Sequence, residues 1–180
     1  MINTKHKLII LALMTCLSGT ITHALEPTTK PILRIETGMH TAGINQIGVD
    51  AAERFLLTAS EDKTLRLWDL HTGDLLKIYR VPIGAGPEGM LYSGTISPDG
   101  EWVAGAGWTG FEWDNNLSIY LFNRASGQLV KRLYGLEDVT FHLCFSPDGQ
   151  YLGASLGGAN GVRVWDTSDW NLIFKDMDYA

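Results

Sequence analysis

His142 and Cys144 lie two residues apart, the spacing that puts two side chains on one face of a β-strand. A thiol beside an imidazole is the minimum equipment of a cysteine nucleophile, provided the thiolate is exposed and a third group orients the ring. Both residues sit among Phe141, Leu143 and Phe145, and no orienting group is evident. The expectation is therefore a small buried thiol without catalysis. A second cluster lies in Gly107 to Asn116, where Trp108, Phe111, Glu112, Trp113 and Asp114 follow one another closely. Glu112, Asp114 and Asn115 offer the oxygen donors that calcium takes, but their spacing fits no calcium-loop motif, and no metal is expected. The three aromatic residues have two readings. They form a recognition surface, as such rings do at binding hot spots, or a small local core under a long turn. The Gly- and Pro-rich stretch Val81 to Gly89 has no Lys-Ser or Lys-Thr after its glycines, so it is not a phosphate cradle. No cofactor is implied.

These residues have to be positioned by something, and the chain is built on a repeat. Ser97-Pro98-Asp99-Gly100 returns 49 residues later as Ser146-Pro147-Asp148-Gly149. Ile96 and Phe145 precede the two copies; Trp102 and Tyr151 follow each after one residue. Val49 and Phe55 stand in the same register around a degenerate turn. The second anchor reads Leu67-Trp68-Asp69, Leu121-Phe122-Asn123 and Val164-Trp165-Asp166. The turns His71-Thr72-Gly73 and Ala125-Ser126-Gly127 follow its first two copies. Between anchors, period-2 alternation broken by turn residues predicts short strands. They fall at 44–49, 55–59, 65–68 and 75–79; at 91–96, 102–106, 117–122 and 129–133; and at 139–145, 151–155, 162–165 and 172–174, with an extra strand at 32–35. Trp102 and Phe122 are 20 residues apart, against 13 for Phe55 to Trp68 and 14 for Tyr151 to Trp165, so the second unit carries a turn about seven residues longer. The expected fold is all-β, with about three four-stranded antiparallel units.

The stretch Met39 to Asp69 resembles a WD repeat, with His40, Asp62 and Trp68-Asp69 at the family's signature positions. The resemblance extends over residues 32–180, in repeats of about 32–80, 81–133 and 134–180. It implies a partial β-propeller in which each blade takes its outermost strand from the preceding repeat. It also implies a structural hydrogen-bond network in the first repeat from His40, Ser60 (or Thr58), Asp62 and Trp68. Those residue types resemble a hydrolytic triad, yet indole N–H only donates and carboxylate only accepts, so a hydroxyl and an imidazole can relay between them. Gly86-Pro87 and Gly135-Leu136 replace the histidine in the later repeats, and Ala159 replaces the turn Asp. Those blades are expected to rely on packing of Trp102, Phe122, Tyr151 and Trp165. More narrowly, the chain looks like exported bacterial WD-repeat proteins.

Lys5, His6 and Lys7, the apolar run Leu8 to Leu17 and the small residues ending at Ala24 read as a signal peptide over 1–24, followed by a linker at 25–31. The apolar run is too short to span a bilayer, and no transmembrane span is expected in the mature chain. Export to the periplasm or medium is expected, with a lipoprotein anchor at Cys16 as the alternative. Loss of Lys5 and Lys7 would leave 12 basic against 20 acidic residues, a net charge of −8. Such a chain repels phosphate backbones, so nucleic acid is an unsuitable partner. Propeller rings need about 4 to 8 blades, so further blades or another chain must close this one. The expected function is a non-enzymatic protein-interaction scaffold with a protein partner. The alternatives are a propeller enzyme, hydrolase or oxidoreductase, and a small-ligand sensor using loop 107–116.

Overall fold

The computed structural model describes residues 36–111 and 115–177. The leader, the linker, the strand expected at 32–35, and Glu112, Trp113 and Asp114 lie outside the described residues. Among the described residues there are twelve strands. They are β1 (Ile44–Val49), β2 (Phe55–Ser60), β3 (Thr64–Asp69), β4 (Leu75–Tyr79), β5 (Met90–Ile96), β6 (Trp102–Trp108), β7 (Leu117–Asn123), β8 (Leu129–Leu136), β9 (Thr140–Phe145), β10 (Tyr151–Leu156), β11 (Val162–Asp166) and β12 (Leu172–Asp176). They form three antiparallel sheets in the orders β1-β2-β3-β4, β5-β6-β7-β8 and β9-β10-β11-β12. The first strand of each sheet packs beside the first strand of the next, so β1, β5 and β9 run along the inside.

The side-chain period explains why the sheets stack. In the middle sheet Val103, Tyr120 and Phe122 face one way, joining Leu57, Ala59, Leu65, Leu67 and Tyr79 of the first sheet. Their neighbours Ala104, Ala106, Ile119 and Leu121 face the other way, against Leu143, Leu152, Ala154 and Trp165 of the third. Each large aliphatic side chain fully buried in these two layers contributes roughly 1.5–3 kcal/mol. A middle sheet buried on both faces reads as a nearly continuous apolar run, as β7 does. Two expectations need correction here. Tyr151 is 38% exposed and is no core residue. Cys144 is exposed as well: on an innermost strand only alternate residues meet a neighbouring sheet, and in β9 Leu143 takes that side.

Turn chemistry fixes where the strands end. Ser97 Oγ accepts the Trp102 N–H (2.9 Å) and donates to Asp99 Oδ1, which also accepts the Glu101 N–H. Ser146, Asp148, Gln150 and Tyr151 repeat the pattern. In the first sheet Asp50 does the work alone, its Oδ1 accepting the N–H groups of Arg54 and Phe55. At the same end, where β3, β7 and β11 stop, Asp69, Asn123 and Asp166 each accept the backbone N–H of a turn residue. The residue four beyond each has a positive φ: Gly73 (76°), Gly127 (78°) and, in the third sheet, Trp170 (62°).

Adjacent sheets are also tied at their outer strands. Lys77 in β4 donates to Ala125 O of the second sheet, and its counterpart Lys131 in β8 donates to Asp169 O of the third (3.0 Å). Tyr79 donates to Arg124 O at 2.9 Å, and Arg124 lies over the Phe55 ring at 4.4 Å.

Candidate functional site

A dense polar cluster in the first sheet gathers side chains from three places: the segment before β1, strands β2 and β3, and the turn between them. His40 Nδ1 lies 2.8 Å from Asp62 Oδ2, and His40 Nε2 lies 2.7 Å from Thr58 Oγ1. Trp68 Nε1 donates to the same Thr58 oxygen at 2.9 Å. Trp68 can only donate and Asp62 can only accept, so the imidazole and the Thr58 hydroxyl relay between them. Thr64 closes the acidic end, donating from its hydroxyl (2.5 Å) and its N–H (3.0 Å) to Asp62 Oδ1.

The hydroxyl in this chain is therefore Thr58. Ser60, the first choice on sequence, is one rung further along the same face of β2. It accepts the Asp62 N–H at 3.1 Å and donates to Ala42 O at 3.3 Å, and makes no bond to His40 or Trp68. Cross-strand register decides between the two, because Thr58 pairs with Arg66 beside Trp68, whereas Ser60 pairs with Thr64 at the turn.

Asp62, His40 and Thr58 stand in the order of an acid, base and nucleophile triad. Their surroundings do not suit that chemistry. The side chains of His40 and Asp62 are each 4% exposed, and Thr58 is buried, with Trp68 holding its oxygen. Burial by itself would raise the Asp62 pKa; the Thr64 hydroxyl, the His40 ring and the Thr41 N–H outweigh it and hold the carboxyl below its ordinary value. Arg66 Nη2 approaches Asp62 at 3.6 Å, while Nη1 lies 3.0 Å from Glu36 Oε1 without the angle of a hydrogen bond. Glu36 also pairs with Arg80 at 3.0 Å.

The other two sheets solve the same problem differently. In the third, Arg163 takes the place of Arg66. Its Nη2 pairs with Glu137 at 2.7 Å, and its Nη1 donates to the carbonyls of Asn160, Val162 and Asp176. In the second, the fully buried Glu88 accepts the Gly110 N–H at 2.6 Å and the Phe111 N–H at 3.1 Å. This carboxylate pins the root of the long turn, and sequence reasoning missed it. A lone Glu between Pro87 and Gly89 carries no signal of burial. Trp108 and Phe111 meet with ring centroids 5.3 Å apart, Trp108 half-buried against the core and Phe111 41% exposed. His142 and Cys144 are both exposed on β9, and Cys144 borders a cleft with Val49, Ile96 and Phe145. Among the described residues no cluster of three or more His, Cys, Asp or Glu could hold a metal ion. No described helix is long and apolar enough to cross a membrane.

The family model for the WD domain, G-beta repeat, matches residues 32–69 and 127–166. The second match starts in the turn before β8 and ends with β11, so this sequence repeat begins with the outer strand of one sheet and continues into the next. A WD repeat-containing protein of Synechocystis sp., sll1491, is 27% identical over 149 residues, covering 82% of this chain and 39% of the relative. Eukaryotic translation initiation factor 3 subunit I of Brugia malayi is 32% identical over 160 residues, covering 82% and 45%. The chain thus spans less than half the length of either relative. Among solved structures, U3-55K superposes with a TM-score of 0.61 at 19% identity, over 77% of this chain and 40% of that one.

Proposed function

This chain belongs to the WD-repeat family, and from that premise we propose that it acts as a non-enzymatic scaffold that holds a protein partner. The observation that carries the reading is the state of its most reactive-looking residues. The His40, Thr58 and Asp62 chain is closed off by Trp68, Thr64 and burial, so its polar groups are spent on holding the first sheet together. What the molecule offers to solvent is a set of turns and strand ends on a rigid framework, the arrangement on which binding sites are commonly built. The described part of the loop 107–116 offers one such surface, with Phe111 exposed and its root pinned by Glu88.

Exposed apolar side chains on both flanking sheets, Ile47 and Val49 on the first and Leu172 and Phe174 on the third, support a ring completed by further blades. Those blades come from a longer chain or a second one. The leader-like sequence at 1–24 supports export to the periplasm or beyond, where the scaffold would regulate an effector domain carried elsewhere in a longer chain. The test is affinity capture with the full chain from an envelope extract, run beside a thermal-shift panel of metals and small metabolites. Reproducible capture of a defined protein is the expected result. A large thermal shift with a metabolite or Ca²⁺, and no protein captured, would overturn the scaffold reading.

A further inference from the structure

The three innermost strands share an irregularity that the repeat alone does not require. Opposite β2, Ile44 pairs with Ser60 and Gln46 with Ala59, so Asn45 has no partner across the sheet. Opposite β6, Leu91 pairs with Gly107 and Ser93 with Ala106, which leaves Tyr92 over. Opposite β10, Thr140 pairs with Leu156 and His142 with Ser155, which leaves Phe141 over. Each strand thus carries a β-bulge at the equivalent residue, near the end where it begins. A bulge re-aims the side chain of its extra residue. Here three of them bring Asn45, Tyr92 and Phe141 to one place, around a cleft of about 420 Å³ whose fourth wall is Glu61 from the β2–β3 turn.

The chemistry of this cleft is specific. The Tyr92 and Phe141 rings stack nearly parallel, 22° apart with centroids at 6.0 Å, and Phe141 is 57% exposed. Asn45 donates to Glu61 Oε1 at 3.4 Å and to Leu91 O at 3.1 Å, which steadies the carboxylate at the cleft edge. Lys63, two residues beyond Glu61, reaches away to the carbonyls of Gly84 and Gly86. Burial raises the Tyr92 pKa, and the negative charge of Glu61 raises it further. Aromatic faces beside a carboxylate favour a cation over any neutral or anionic group. The formal net charge of −6 adds a long-range attraction of the same sign.

We propose that Phe141, Tyr92 and Glu61, with Asn45 in support, form a subsite for the Lys or Arg side chain of a basic, extended segment in a protein partner. The inference rests on the scaffold reading and names the chemistry of its partner. The experiment is a titration of the full chain, at low salt, with flexible Gly-Ser peptides carrying one central Arg, Lys, citrulline or norleucine. The Arg and Lys peptides should bind about tenfold or more tightly than their neutral twins. Glu61→Gln and Phe141→Ala should each weaken them at least about fivefold while leaving the melting curve in place. Equal binding of the Arg and citrulline peptides, or no binding of either cationic peptide, overturns the subsite. Capture of a partner from extract separates this from the scaffold reading. Capture that persists undiminished in the Glu61→Gln, Phe141→Ala double variant sinks the subsite and leaves the scaffold standing. Capture lost in that variant alone supports both.

Discussion

Trp170 occupies, at φ 62°, the turn position that Gly73 and Gly127 fill in the sibling sheets, and its ring meets Trp102 of the neighbouring sheet edge-on at 5.6 Å and 77°. The backbone role is unchanged, since all three residues donate their N–H to the carbonyl four residues back. An L-residue in this region carries strain of order 1–3 kcal/mol. It persists because the indole is packed against the inter-sheet core and against Trp102. Trp170→Gly is therefore expected to remove strain and packing together, with a net loss of about 1–2 kcal/mol, aromatic pairing alone contributing ~0.5–1.5. In a Trp102→Ala background the same substitution should cost less, and a double-mutant cycle by chemical denaturation reads the coupling directly.

Thr58→Val keeps the shape of the side chain and deletes the hydroxyl that joins Trp68 Nε1 to His40 Nε2. Two buried polar atoms lose their partner, and the expected destabilisation is about 2–3 kcal/mol, at the upper end of the cost of an unsatisfied group. Ser60→Ala removes two longer bonds and should cost about 1 kcal/mol or less. Equilibrium urea unfolding of the two variants ranks them. The reverse order would return the hydroxyl role to Ser60.

Glu88→Ala removes the acceptor for the Gly110 and Phe111 amides. Hydrogen exchange at these two amides should rise well before the strands on either side are affected. Stability should fall by about 1–3 kcal/mol through the orphaned donors. Unchanged exchange at Gly110 would mean that the loop is held by something else.

The pH dependence has two arms. The carboxyls of Asp50 and Asp62 are held below their ordinary value of 3.8 in the fold: burial would raise each, but hydrogen bonds from Phe55 and Arg54, and from Thr64 and His40, outweigh it. A depressed folded-state pKa gives stability that is fully present above 3.8 and is lost as pH falls through the folded value. Melting temperature should therefore drop steeply below about pH 4, and Asp62→Asn should flatten that drop. At the alkaline end burial pushes the Tyr79 hydroxyl up from 10.0 to about 12, with Arg124 opposing in part. Its contribution is intact below pH 10 and disappears between pH 10 and 12, and Tyr79→Phe should lose that dependence.

Local patterns along the chain were enough to place the elements and group them into sheets. Alternating apolar residues, Pro-Asp-Gly turns and the Trp-Asp anchor are local signals, and a strand needs only local signals to be recognised. Hence the boundaries of β1 and β4 matched the expected ones residue for residue, and the others agreed to within a few. Packing between distant segments settled the choices between groups of the same type. Thr58 and Ser60 share a face of β2, and only the register against β3 shows which one Trp68 can reach. Cys144 is flanked by apolar residues in the chain, yet an innermost strand covers only one of its faces, and the thiol falls on the other. Glu88 is buried because a loop more than twenty residues away closes over it. The bulges at Asn45, Tyr92 and Phe141 arise from pairing with a neighbouring strand, which no property of those three residues announces. Local periodicity fixes secondary structure, while burial and partnership depend on which surfaces meet.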